Sequence, residues 1–156
     1  MFMKVSTHIF IEAPLESVWH AITDIEHAQE MITGIIGLEI LEQSENQLIG
    51  LKWKETRLMF GKEAIETMWI TDSVNHQFYR TRAESHGSIY ISELAVQAKD
   101  NGTVLTMSFS GKAQTAFMKF ISVLMTPFMK GSMIKMLDKD LVDIKQFVES
   151  KAAHSA

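Results

Sequence analysis

The chain has 156 residues, 46% apolar and 22% charged, which suits one domain with a substantial core and excludes wholesale disorder. Its formal net charge of -4 comes from interspersed acids and bases with no basic block, so nucleic acid and other polyanions are poor partners. With no cysteine, a disulfide framework, an iron–sulfur cluster and a thiolate zinc site are all excluded, in keeping with a reducing cytoplasm.

The opening residues 1–8 lack the uninterrupted apolar stretch of a signal peptide. No window reaches the roughly eighteen apolar residues that span a bilayer. The nearest approach, residues 117–129, is interrupted by Lys119 and Pro127. The expectation is a soluble, cytoplasmic protein without stable membrane insertion, folded as one domain over 1–150 with a short polar tail at 151–156.

Residues 3–12 alternate as a strand does, with Val5, Thr7, Ile9 and Ile11 on one face. Pro14 suits the first turn of a helix striped by Leu15, Val18, Trp19 and Ile22. Asp24 is placed to cap a second short helix through about Ile32, which Gly34 ends.

Turn signals set the register of the next strands. Asn101-Gly102 as a two-residue loop pairs Val96 with Met107 and Leu94 with Phe109. His86-Gly87 as a loop pairs Tyr79 with Leu94, Thr81 with Ser92 and Ala83 with Tyr90, and sets Arg80 against Glu93 on the outer face. Gly61-Lys62 pairs Arg57 with Glu66, Glu55 with Met68 and Trp53 with Ile70, and a turn around Glu45-Asn46 pairs Leu38 with Trp53 and Ile40 with Leu51. One inner face results, running through Leu38, Ile40, Leu51, Trp53, Met68, Ile70, Tyr79, Tyr90, Leu94, Val96, Met107 and Phe109. With the first strand this predicts seven antiparallel strands.

From Gln114 to about Ser150 the period becomes helical. Phe117, Ile121, Leu124, Phe128, Ile134, Leu137, Leu141, Ile144 and Val148 form an apolar stripe, with Lys135, Asp138, Lys139, Asp143, Lys145 and Glu149 on a solvated side. Pro127 and Gly131 predict a bend or break between about Met125 and Gly131. Five of the eleven methionines (Met118, Met125, Met129, Met133, Met136) fall in this helix, and methionine adapts to irregular apolar surfaces. Such a helix must bury its stripe against the sheet.

This order of strand, two short helices, six strands and long helix resembles the START-like, helix-grip (SRPBCC) superfamily, in particular its small bacterial polyketide cyclase/dehydrase-like members. Ile9–Trp19 (IFIEAPLESVW) is similar to the family's opening strand, Ala-Pro junction and Val-Trp helix. Gly50–Arg57 (GLKWKETR) with Gly61-Lys62-Glu63 resembles its third strand and turn, Asn101-Gly102-Thr103 its last hairpin, and Leu141–Glu149 (LVDIKQFVE) the end of its grip helix. Where many relatives carry a tryptophan after the second helix, this chain has Met31-Ile32. The resemblance implies an α+β helix-grip fold whose curved antiparallel sheet and long helix enclose a cavity for lipids, sterols, quinones or polyketide-like molecules. The superfamily holds enzymes and binders alike, and fold alone does not choose between them.

Arg57, Glu66 and Glu55 are the charges that the register places on the inner face. They read either as a polar anchor at one end of a cavity, with Arg57 paired to Glu66, or as an exposed ion pair at a hairpin tip. Tyr79, Tyr90, Thr81 and Ser92 add a polar-tipped patch, whose tyrosines need a ligand, a carbonyl or water as partner. The candidate ligand-binding set is therefore Trp53, Glu55, Arg57, Glu66, Met68, Tyr79, Tyr90, Ser92, Leu94, Met107, Phe109, Leu124 and Phe128. His20, Asp24 and His27 are spaced like metal ligands, but a helix break at Asp24 would separate them, so they read as solvated side chains and no metal is expected. No nucleophile motif, Walker loop or dinucleotide fingerprint is present, and no cofactor is implied. The leading expectation is a carrier of an apolar small molecule. A cyclase/dehydratase-type lyase using a cavity carboxylate or tyrosine is the second, and a protein-interaction or stress module the third. A homodimer is compatible with all three.

Overall fold

The computed structural model describes residues 3–45, 48–59, 61–85 and 87–155; within these, the side chains of residues 3, 117, 118, 120–128, 154 and 155 lie outside the description. β1 (Met3–Ile11) leads into α1 (Leu15–Thr23), a 3-10 turn (Ile25–His27) and α2 (Ala28–Met31). Six strands follow: β2 (Ile35–Glu42), β3 (Lys52–Met59), β4 (Lys62–Val74), β5 (Phe78–Ser85), β6 (Ser88–Lys99) and β7 (Gly102–Ala113). α3 (Ala116–Ser155) closes the chain and includes most of the segment expected as a tail. Among the described residues no helix is long and apolar enough to cross a membrane.

The seven strands form one antiparallel sheet in the order β1-β7-β6-β5-β4-β3-β2. Chain neighbours pair through hairpins, while β1 crosses to the far edge and pairs with β7. Bulges in β2 and between Ile70 and Asp72 bend the ribbon, as an extra residue on one strand does. The concave face receives α3. Its residues Met133, Leu137, Leu141, Ile144 and Val148 are buried, as are Trp53, Ile70, Tyr79, Val96, Leu105 and Met107 from the sheet.

The β5–β6 pairing follows the predicted register, with Tyr79 opposite Leu94, Thr81 opposite Ser92 and Ala83 opposite Tyr90. Gly87 takes φ 76°, the left-handed conformation that glycine adopts without a Cβ penalty. The other three hairpins with a predicted register slip by two residues from expectation, and the β4–β5 hairpin, which had none, pairs Ile70 with Thr81. Leu94 opposes Met107 and Ser92 opposes Phe109, because the turn bends at Asp100, with φ 51°, one residue earlier than Asn101-Gly102 implies. Gly102 serves space rather than turn conformation: a Cβ there would sit 2.4 Å from the Ile11 carbonyl oxygen and 2.6 Å from Phe10 Cζ. In the β3–β4 hairpin Trp53 opposes Met68, Glu55 opposes Glu66 and Arg57 opposes Ala64. In β2–β3 Ile40 opposes Trp53 and Leu38 opposes Glu55. A shift of two preserves the face of every side chain, so the inner-face set survives with new partners.

Three helical expectations are corrected. α3 runs as one helix, so of the bend or break expected at Pro127 and Gly131 the break is absent; a proline removes one hydrogen bond, and a long helix retains the bonds on either side. The second helix splits into the 3-10 turn and α2, and Asp24 caps nothing with its side chain. Asp143, expected in solvent, is buried. Its carboxylate accepts hydrogen bonds from the Thr33 backbone N–H (3.0 Å), Thr33 Oγ1 (2.7 Å) and Lys139 Nζ (2.9 Å), tying α3 to the segment between α2 and β2. Near its far end Glu149 accepts the Glu12 N–H at 2.7 Å and Lys145 donates to the Phe10 carbonyl at 2.7 Å, fastening the helix to β1.

Candidate functional site

Between the concave face and α3 lies a cavity of about 270 Å³. Strand alternation supplies one wall: Trp53, Glu55 and Arg57 from β3, Glu66 and Met68 from β4, Tyr79 from β5, Tyr90, Ser92 and Leu94 from β6, Met107 and Phe109 from β7. Met129, Met133, Met136, Leu137, Asp140 and Ile144 supply the other, and the α1–α2 segment closes one side with Ile22, Ile25, Met31 and Ile32. Seven of the described lining residues are methionines, whose flexible thioethers shape an adaptable apolar surface. Leu94 and Phe109 point inward yet remain only partly buried, because they face the cavity and not a packed neighbour. Every predicted site residue from Trp53 to Phe109 borders this space. Leu124 and Phe128 lie outside the described side chains.

The predicted Arg57–Glu66 pair does not form in this register. Arg57 instead donates from Nε to Glu55 Oε2 at 3.3 Å and from Nη1 to Asp140 Oδ2 and Oδ1 at 2.9 and 3.1 Å. Trp53 Nε1 lies 3.4 Å from the other Glu55 oxygen. Asp140 is buried and Arg57 and Glu55 are largely so, with 14%, 12% and 6% of their side-chain surface exposed for Arg57, Glu55 and Asp140. The exposed hairpin-tip alternative is thereby excluded. Gly34 leaves room for this cluster, since a Cβ there would meet Arg57 Nη1 at 3.3 Å.

Asp140 is the residue that the sequence reading missed. It stands three residues after Leu137 and four before Ile144, squarely in the apolar stripe of α3, and an acid at such a position is itself a signal. Burial, the largest influence, raises its carboxyl above the ordinary range; Arg57 pulls it down without cancelling the rise, and Glu55 and Asp143 add to it. Burial opposes the charge on Arg57, but Asp140 and then Glu55 outweigh it and hold the guanidinium above its ordinary value.

The tyrosines divide. Tyr79 is buried edge-on against Trp19 and donates to the Ile22 carbonyl at 2.9 Å, so its hydroxyl is satisfied by the protein. Burial, with Glu55 nearby, pushes its phenol well up. Tyr90 stacks on Phe109 with ring centroids 5.7 Å apart and, among the described residues, has no hydrogen-bond partner for its hydroxyl. Thr81 and Ser92 border the cavity beside it. His20, Asp24 and His27 lie in a surface groove away from this space. His27 Nδ1 meets Asp24 at 2.9 Å, a hydrogen bond and charge that raise the exposed imidazole above its usual value. Among the described residues no cluster of acids and histidines is placed to hold a metal ion.

A curved antiparallel sheet gripping one long helix around an apolar cavity defines the START-like, helix-grip class. The family described as polyketide cyclase / dehydrase and lipid transport matches residues 3–149, and the chain belongs to it. Its fold is similar to that of a protein from Thermus thermophilus (TM-score 0.79, 13% identity, covering 96% of this chain and 99% of that one). A START superfamily protein from Mycobacterium smegmatis is also similar (0.78, 13%, 94% and 97%). So is the Zhui aromatase/cyclase from a Streptomyces species (0.75, 15%, 96% and 95%). No curated protein matches by sequence.

Proposed function

We propose that this protein binds and carries an apolar small molecule in the cavity between its sheet and α3. The observation that supports this reading is the combination of an unfilled, methionine-rich interior with one buried charged cluster on the β3 side. Ligand sites are mostly apolar concavities with a few placed polar groups, and this arrangement has that composition. A filled core would have favoured the protein-interaction reading. The cyclase/dehydratase alternative has the raised Asp140 carboxyl in its favour. Against it, Asp140 and Glu55 are both engaged by Arg57, and Tyr79 is spent on Ile22.

The test uses N-phenylnaphthylamine, a neutral apolar fluorophore that brightens in dry surroundings. Saturable uptake at one probe per chain is expected. Ala83 lines the cavity from β5, so Ala83→Phe should fill it and abolish uptake while changing the melting temperature by only a few degrees. Unchanged uptake in a folded Ala83→Phe protein would place the probe elsewhere and remove the support for this reading.

A further inference from the structure

The charged cluster in the cavity wall is not neutral. One guanidinium serves two buried carboxylates, Glu55 and Asp140, so the trio carries an excess of one negative charge with both acids ionised. Glu66 stands directly opposite Glu55 on the same face and also borders the cavity. Among the described lining residues there is no lysine or histidine, and Arg57 is the one cation. Hydrogen-bond capacity is just as lopsided. Two carboxylates present about eight lone-pair sites, and Arg57 and Trp53 fill only some of them.

We infer that the ligand is an apolar molecule whose polar end donates hydrogen bonds, a hydroxyl, phenol or protonated amine, and that fatty acids and other carboxylates are rejected. This rests on the carrier reading above and names its ligand class. An incoming carboxylate would meet a guanidinium already matched twice over and add a third negative charge in a water-poor interior, where repulsion is strong. A hydroxyl or ammonium finds acceptors ready-made. Rejection of this kind is specificity built from repulsion, and it leaves the apolar wall free to accept varied hydrocarbon shapes. Asp140 and Glu55 hold the Arg57 guanidinium above its ordinary value against the opposing effect of burial, as an acid-rich cluster does.

Three chain-matched probes separate the head groups: decanol, decylammonium and decanoate, each displacing N-phenylnaphthylamine at neutral pH. Decanol and decylammonium are expected to bind at least about tenfold more tightly than decanoate. Glu55→Gln removes the excess charge, so it should strengthen decanoate and weaken decylammonium, with decanol changing least. Comparable or tighter binding of decanoate by the parent protein overturns the ligand class while leaving the carrier reading intact. Failure of the fluorophore itself to bind overturns both. The parent's ranking of the three probes decides the matter even if Glu55→Gln does not fold.

Discussion

Replacing Arg57 by methionine would leave Glu55 and Asp140 buried on the same side of the cavity with no cation between them. Breaking a buried pair by removing one partner costs on the order of 3–5 kcal/mol, because an uncompensated charge stays behind. For a chain of this size that corresponds to a fall in melting temperature of roughly 10 °C. Asp140→Asn should cost clearly less, since Glu55 still neutralises Arg57 and the asparagine sheds a charge that burial opposes. Thermal melts of both variants beside the parent protein check this, and equal losses would mean that the two carboxylates are not interchangeable. This pairing depends on β3 and α3 meeting, which is why Arg57 was foreseeable as an inner-face charge while its burial and its partner were not.

Glycine at 102 belongs to the scale of the element. The Asn-Gly dipeptide suggests a turn requirement, but Gly102 is the first residue of β7, and β1 passes against it. Gly102→Ala would force a methyl into the Ile11 carbonyl, which is backbone and cannot swing aside. A loss of about 1–3 kcal/mol is expected from such overpacking, read as the midpoint of urea unfolding. Asn101→Ala, at an exposed turn position, should cost much less. If the turn mattered and the close approach did not, the order of the two would reverse. The hairpins also show what turn signals convey. They gave the alternation of faces and one register correctly, yet placed three registers two residues away from where the paired backbones settle and supplied none for the β4–β5 hairpin.

Stability against acid is a property of the whole molecule, set by how α3 is fastened to its surroundings. Asp143 and Glu149 are each held below the ordinary carboxylate range. Burial opposes this in both, and the hydrogen bonds from Lys139 and Thr33, or from Lys145 and Glu12, outweigh it. The unfolded chain therefore binds protons at these sites more readily than the folded one. Their contribution is present above the ordinary carboxylate pKa and is lost as pH falls through the folded values. Asp140 acts in the opposite sense: its raised folded pKa contributes stability that is present at low pH and lost as pH rises through that folded value. Asp143→Asn should thus cost about 1–3 kcal/mol near neutrality and much less at low pH. Urea unfolding across pH measures this, and a cost independent of pH would count against the carboxylate's role.

The family resemblance could be read from the order of elements and a few short motifs. The strand alternation and the helical stripe could be read from the chain itself, because they depend on local periods of two and 3.6 residues. The inner face was legible for the same reason: Trp53, Leu94, Met107 and Phe109 keep their side whether a hairpin slips by two residues or not. The partners of the buried charges were settled only by the tertiary structure. Arg57 pairs with Asp140, 83 positions away, and Asp143 reaches back to Thr33, because the docking of α3 on the sheet brings these groups together out of water. No local pattern carries that information. The alternation of residues places a charge on the inner face, and only the packing of one element on another determines whether it is buried and which opposite charge lies within reach.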